Sequence, residues 1–187
     1  MLVRAVMVQS VDGRVTRGAE TNVYAWSSPE DQDQFFATIR ASSLIIMGSG
    51  TYLAAKPHII LKPETLRIVL TSRPQDFQAE SVPGQLEFSS LAPLDLVADL
   101  HSRGYAEANL VGGAQVLGSF LDARLVNELV LTVEPVLFGA GAPLVTAPTP
   151  SGLLDSAGAH TEPRLELKEL VQLNSAGTLK LTYQVLY

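Results

Sequence analysis

The chain has 187 residues, no cysteine and a formal net charge of −6. That length suits one domain burying about 70% of its unfolded surface, and without cysteine there can be no disulfide or thiolate metal site, so only His58, His101 and His160 remain as nitrogen ligands and no metal is expected. The acidic balance and the lack of a Lys/Arg cluster exclude a polyanionic nucleic-acid partner, and no apolar run reaches the ~18 residues of a membrane helix, so a cytoplasmic protein is expected.

Residues 2–9 read as an apolar strand leading into Asp12-Gly13 with no small-residue cleavage site, which makes Met1 the start of the folded domain. Ser28-Pro29-Glu30-Asp31 opens a helix with a serine cap, proline at its first position and an acid at its third; Phe35, Phe36 and Ile39 supply its apolar face. Leu44-Ile45-Ile46-Met47 is uniformly apolar, as a strand buried on both faces would be, and Gly48-Ser49-Gly50-Thr51 ends it before a helix near Thr51. Residues 67–70 repeat the pattern up to Thr71-Ser72-Arg73-Pro74, and 85–88 predict another strand. The spacing over 94–102 predicts a helix with Leu96, Val97 and Leu100 on one side. Residues 109–111 form a short strand ended by Gly112-Gly113, and 114–124 a helix with Val116, Leu117, Phe120 and Leu121 as its inward stripe. A long strand is predicted over 128–138, and 164–173 pairs with 178–187 across Asn174-Ser175-Ala176-Gly177 as a hairpin. The alternation predicts an α/β protein, with a mostly parallel mixed sheet flanked by helices and an antiparallel C-terminal hairpin, in one domain over 1–187.

In an open α/β sheet, ligands bind beyond the carboxyl ends of the strands. Three predicted strand ends share one chemistry: Gly48-Ser49-Gly50-Thr51, Thr71-Ser72-Arg73 and Gly112-Gly113-Ala114-Gln115 combine small residues with hydroxyl, amide or guanidinium donors. The first and third precede helices, whose N-terminal N–H groups suit a pyrophosphate, and Arg73 suits an isolated phosphate such as the 2′-phosphate of NADPH. Taken singly, Gly112-Gly113 is also a tight strand-to-helix turn and Arg73 a solvated charge.

Ile45-Ile46-Met47-Gly48-Ser49-Gly50-Thr51-Tyr52, Val69-Leu70-Thr71-Ser72-Arg73 and Asn109-Leu110-Val111-Gly112-Gly113-Ala114 resemble the cofactor segments of dihydrofolate reductase. Ser10-Val11-Asp12-Gly13-Arg14, the run from Phe120 through Asp122-Ala123-Arg124 to Leu129, and Pro135-Val136-Leu137-Phe138-Gly139 resemble the riboflavin-pathway pyrimidine reductases, the reductase half of the deaminase-reductase. The resemblance implies a three-layer dihydrofolate reductase-like fold with eight or nine strands and a homodimer. It also implies an NADPH-dependent oxidoreductase that moves hydride from nicotinamide C4 to an imine-like carbon. In that family the carbon is the ribose C1′ of a phosphoribosylamino-pyrimidine. By the same resemblance the cofactor is held by Trp26, Gly48, Ser49, Gly50, Thr51, Thr71, Ser72, Arg73, Gly112, Gly113, Ala114, Gln115, Val116 and Leu117. Asp12, Ser27, Arg40 and Tyr52 would contact the substrate. The cysteine-dependent zinc motif of the deaminase half is absent, so any deamination belongs to another protein.

The match departs from the riboflavin type where Ala54-Ala55-Lys56-Pro57 replaces an Asp-Asp-Pro run, where Val111 replaces a Glu before the double glycine, and where Arg4 stands near an expected Lys. These changes touch the pyrimidine side and leave the cofactor side intact. Asp31, four residues before Phe35, resembles the proton-relay acid of dihydrofolate reductase, which would make it the catalytic residue; it also fits a capping box with Ser28. Trp26 reads as a nicotinamide contact or as packing, and Arg40 as a substrate-phosphate ligand or a cation offsetting its helix dipole. Two other readings stand beside the pyrimidine reductase: a dihydrofolate or pterin reductase, and a non-catalytic NADPH-binding relative that lost the substrate acids. Tyr52-Leu53-Ala54-Ala55-Lys56 also matches the Tyr-x-x-x-Lys pair of short-chain dehydrogenases, but the Gly-rich turn that family needs after its first strand is missing.

Overall fold

The computed structural model describes residues 1–146 and 162–187. In chain order the elements are β1 (Leu2–Ser10), α1 (Pro29–Ala41), β2 (Leu44–Gly48), α2 (Ser49–Ala55), β3 (Leu66–Leu70), β4 (Leu86–Ser89), α3 (Pro93–Ser102), β5 (Glu107–Leu110), α4 (Ala114–Asp122), β6 (Glu128–Glu134), β7 (Arg164–Gln172) and β8 (Leu179–Leu186). Short 3₁₀ turns at Val23–Ala25, Lys56–His58 and Pro74–Glu80 add to what the sequence predicts.

Among the described residues the strands form one eight-stranded sheet in the order β4-β3-β2-β5-β1-β6-β8-β7. The six strands from β4 to β6 are parallel and β8 and β7 antiparallel, so the mixed architecture with a C-terminal hairpin is as expected. Period-two alternation splits each central strand between two cores. Leu44 and Ile46 of β2 face the larger core, which contains Leu96 and Leu100 of α3 and Leu117, Phe120 and Leu121 of α4. Ile45 and Met47 face the smaller one, built with Val69, Val111, Tyr52 of α2 and the flanking Phe35 and Ile39 of α1. Helices thus cover both faces of the sheet, and α1 lies over the face that carries the site.

Several boundaries fall one or two residues from expectation, and the end of β6 falls four away. β6 stops at Glu134 rather than 138, because Pro135 has no N–H to give the ladder and Val136 N–H turns back onto the Glu134 carbonyl at 2.8 Å. α4 ends at Asp122, just before Arg124 adopts a positive φ of 56°. β5 starts and ends earlier than 109–111, leaving Val111 bonded to the Ile46 carbonyl at 2.9 Å just past the strand. Among the described residues no helix is long and apolar enough to cross a membrane, and no cluster of His, Asp and Glu could hold a metal; His160 lies outside the described residues.

Candidate functional site

The three loops singled out from the sequence leave β3, β2 and β5, which are neighbours in the sheet, at one carboxyl edge. The register pairs Gly48 with Leu70, the last residues of β2 and β3, and Ile46 with Leu110, so β5 ends two residues short of them and its loop begins beside Gly48. Gly48 N–H donates to the Gly112 carbonyl at 3.0 Å, which joins the first loop to the third. Gly112 has φ of +112°, and a Cβ on either Gly112 or Gly113 would lie 3.3 Å from Thr51 Oγ1, while one on Gly48 would lie 3.0 Å from Val116 Cγ2. Only glycine allows the two loops to close on each other this way. Gly113 is the N-cap of α4 and among the described residues no side chain caps it, which leaves the first N–H groups of that helix at this edge.

Thr71 anchors the second loop through its own N–H to Ser89 O at 2.9 Å and accepts Arg73 N–H on its hydroxyl at 3.2 Å. Ser72 and Arg73 are exposed, and among the described residues the Arg73 guanidinium, with a side chain 74% exposed, meets only Asp76 at 3.3 Å. Ser49 and Gly50 open α2, Gln115 is exposed, and Val116 packs on Gly48. Leu117 is buried in the larger core, so any part it plays is through packing.

A cavity of about 810 Å³ runs over the sheet face beneath α1, from Gly50, Thr51, Gly112, Gly113 and Ala114 to Ser27, Asp31 and Thr132. Asp31 is 8% exposed. Ser28 Oγ accepts the Asp31 N–H at 3.3 Å, as a cap should. The other half of the expected capping box is missing: the Ser28 N–H donates at 2.7 Å to Glu134, and the Asp31 carboxyl turns inward instead. Burial pushes that carboxyl up from 3.8 to about 6, helped by the charge of Glu134 and opposed by the hydroxyls of Thr132 and Ser27. An acid so placed can hold a proton near neutral pH and release it into the cavity.

The opposite end of the cavity is basic. Arg67 of β3 is 5% exposed and lines the wall, yet among the described residues its guanidinium has no ion pair or hydrogen bond, with Nη1 wholly sealed from solvent. Burial lowers its pKa. Arg40, in the last turn of α1, and Lys62 line the same region. Arg4 lines it too but is paired with Glu128. An unpaired cation taken from water is costly, so this end suits an anion.

The remaining candidates lie off the cavity wall. Trp26 sits edge-to-face on Phe138, with ring centroids 5.0 Å apart and its Nε1 buried without a partner. Asp12 accepts from Ser10 Oγ at 2.6 Å, Phe138 N at 3.0 Å and Gly139 N at 2.8 Å, which drives its carboxyl down to about 2 and clamps the loop after β6 to the end of β1. Tyr52 is 3% exposed among Phe77 and Phe88 and donates its hydroxyl to Glu80. Burial and that bond push the phenol up to about 12, with Lys56 occupied by Glu80 at 2.9 Å. The Tyr-Lys spacing of a short-chain dehydrogenase therefore yields the reverse of an activated tyrosine.

The structure also brings in Thr132, Glu134, Arg67 and Lys62, which the loop-by-loop reading passes over. Thr132 and Glu134 were legible as alternate polar positions in an otherwise apolar strand, and Arg67 as the one charge in a strand buried on both faces.

Solved structures share this fold. A putative riboflavin biosynthesis protein from Shewanella sp. superposes with a TM-score of 0.74 at 19% identity, over 100% of both chains. A deaminase and 5-amino-6-(5-phosphoribosylamino)uracil reductase from Thermotoga maritima gives 0.73 at 16% identity, covering 98% of this chain and 56% of that one. Dihydrofolate reductase from Enterococcus faecalis, complexed with NADP(H), gives 0.62 at 19% identity over 98% of this chain and 96% of that one. No curated protein sequence matches the chain. The fold is dihydrofolate reductase-like, and since residues 2–177 match the family model of the RibD C-terminal domain, the chain belongs to that family.

Proposed function

We propose that the chain is an NADPH-dependent reductase acting on a pyrimidine of the riboflavin type, a 5-amino-6-(5-phosphoribosylamino)uracil or a close relative. The observation that carries this reading is one continuous cavity lined by the glycine-fastened loops, a buried acid of raised pKa and, away from both, a cluster of cations. Relatives in the family and fold, one of them complexed with NADP(H), support it.

The residues present fit the dinucleotide. Gly48, Gly112 and Gly113 let the first and third loops close against Thr51 and Val116 at this edge, α4 offers uncapped N–H groups to a pyrophosphate, and Arg73 is free enough at the surface to turn from Asp76 to a 2′-phosphate. When bound, NADPH supplies hydride from nicotinamide C4 to an imine-like carbon. Asp31 holds the proton that the adjacent nitrogen gains as that carbon is reduced, with the hydroxyls of Ser27 and Thr132 beside its carboxyl. Arg67, Arg40 and Lys62 receive the phosphate of the substrate. Apolar Val6, Met47 and Val111 line the middle and exclude water from the reacting atoms.

Asp31 beside Phe35 favours a second reading, a pterin substrate whose ring the acid would bond. Following NADPH oxidation with the phosphoribosylamino-pyrimidine and with dihydrofolate separates them. Turnover of the first supports the proposal, turnover of dihydrofolate alone replaces it with the second, and NADPH binding without oxidation of either makes the chain a non-catalytic relative.

A further inference from the structure

Glu134 closes β6 and is 3% exposed, yet the chemistry proposed above leaves it without a task. Its Oε1 accepts the Ser28 N–H at 2.7 Å and its Oε2 the Thr178 hydroxyl at 2.8 Å. Thr178 is itself locked by Asn174, which donates to the Thr178 hydroxyl at 3.0 Å and accepts its N–H at 3.1 Å. Asn174 also reaches Glu30 of α1 at 3.0 Å. One buried carboxylate therefore joins the last residue of β6, the cap of α1 and the start of β8.

Ser28 and Thr132 also bracket Asp31. Ser28, held by Glu134, caps the Asp31 N–H, and the Thr132 hydroxyl, two residues before Glu134 on β6, lies beside the Asp31 carboxyl and opposes the rise in its pKa. Two buried carboxyls so lie under the first turn of α1. The groups that face Asp31 are the Tyr24 phenol from the Val23–Ala25 turn, the hydroxyls of Ser27 and Thr132, and the Glu134 carboxylate. Glu30 lies next to it on α1 but is turned to Asn174; Lys180 of β8 lines the cavity but is paired with Glu169 at 3.5 Å. Among the described residues neither Asp31 nor Glu134 has an ion pair with a cation. Both of Glu134's oxygens are taken, by the Ser28 N–H and the Thr178 hydroxyl, whereas Asp31 is the one that opens to the cavity.

The geometry points to Glu134 as a positioning residue that acts through Asp31: a side chain fixed on Ser28 and Thr178 that sets the surroundings of the acid capped by the same Ser28. The charge of Glu134 is one cause of the raised Asp31 pKa, which supports this division of labour. Its use in catalysis rests on Asp31 being the acid of the proposed reductase; the coupling itself does not.

The test is a carboxyl-carbon NMR titration of Asp31 in the wild-type chain and in Glu134→Gln, alongside the pH profile of kcat. Glutamine keeps the shape and one acceptor for Ser28 while removing the charge. Asp31's midpoint is expected to fall by about one unit in the variant, the size of a close like-charge effect, with the limb of kcat following it, and Glu134→Asp to restore most of both. An unchanged midpoint overturns the proposal and leaves the acid role of Asp31 intact. A midpoint that falls while the kcat limb stays put supports the coupling and removes Asp31 as the acid. Should Glu134→Gln not fold, Glu134→Asp, which draws the charge back by one methylene, must lower the Asp31 midpoint by a smaller amount; a purely structural role would change the melting temperature alone.

Discussion

The backbone N–H of Gly48 donates to the carbonyl of Gly112 at 3.0 Å, so the ends of β2 and β5 are held as one rigid edge. Thr51 closes the gap from the other side, with its Oγ1 at 3.3 Å from any Cβ that Gly112 or Gly113 would carry. Gly112→Ala places an L side chain at φ +112° in that contact. It is expected to cost about 1–3 kcal/mol in stability, read by urea denaturation, and to weaken NADPH far more than it weakens a substrate analogue bound at the basic end.

Asp31 makes stability and chemistry pull in opposite directions. Its folded pKa of about 6 exceeds the ordinary 3.8, so the folded chain binds the extra proton and the acid's favourable contribution, complete below pH 3.8, is lost as pH rises through 6. About two units correspond to about 3 kcal/mol above that window. Asp31→Asn is therefore expected to be more stable than wild type at pH 8, with the gain disappearing toward pH 4, and to lose about 10²- to 10⁴-fold in kcat. Thermal melts across that range and steady-state rates check both halves; a variant that is less stable at pH 8 would contradict the raised pKa.

Arg73 stands exposed at the end of the second loop with a partner, Asp76, that solvent screens. Losing a charge-assisted contact to the 2′-phosphate costs about tenfold or more, so Arg73→Ala is expected to weaken NADPH by that factor and leave NADH nearly unchanged. Equal losses for both dinucleotides would assign Arg73 to the surface and nothing else.

Arg67 carries a buried charge with no partner among the described residues. Arg67→Met keeps the stem and removes the charge, so the ligand-free chain is expected to melt no lower than wild type. Inorganic phosphate, which should raise the melting temperature of the wild type through this end of the cavity, is expected to lose that effect in the variant. A variant that melts several degrees lower and still responds to phosphate would make Arg67 a packing residue.

The sheet was legible because its strands are short apolar runs stopped by glycine, proline or polar clusters, and the three ligand loops because each lies at such a stop. Their adjacency followed only from strand order, which places β3, β2 and β5 side by side. Glu134 was visible as a polar position in an apolar strand, but its role was hidden for a physical reason: its meaning depends on Ser28 and Thr178, residues 106 and 44 positions away. Tyr52 shows the converse. Its place beside Thr51 suggests a ligand, but on α2 its side chain turns to Phe77, Phe88 and Glu80, away from the cavity. Asp12 likewise spends its oxygens on the loop after β6.

The most direct measurement is an amide chemical-shift map of the isotope-labelled chain titrated with NADPH. Saturable shifts gathered at Gly48-Ser49-Gly50-Thr51, Thr71-Ser72-Arg73 and Gly112-Gly113-Ala114-Gln115, with smaller ones reaching Asp31, are the expected result. No saturable shifts, or shifts confined to another face of the sheet, would contradict a dinucleotide site at this edge.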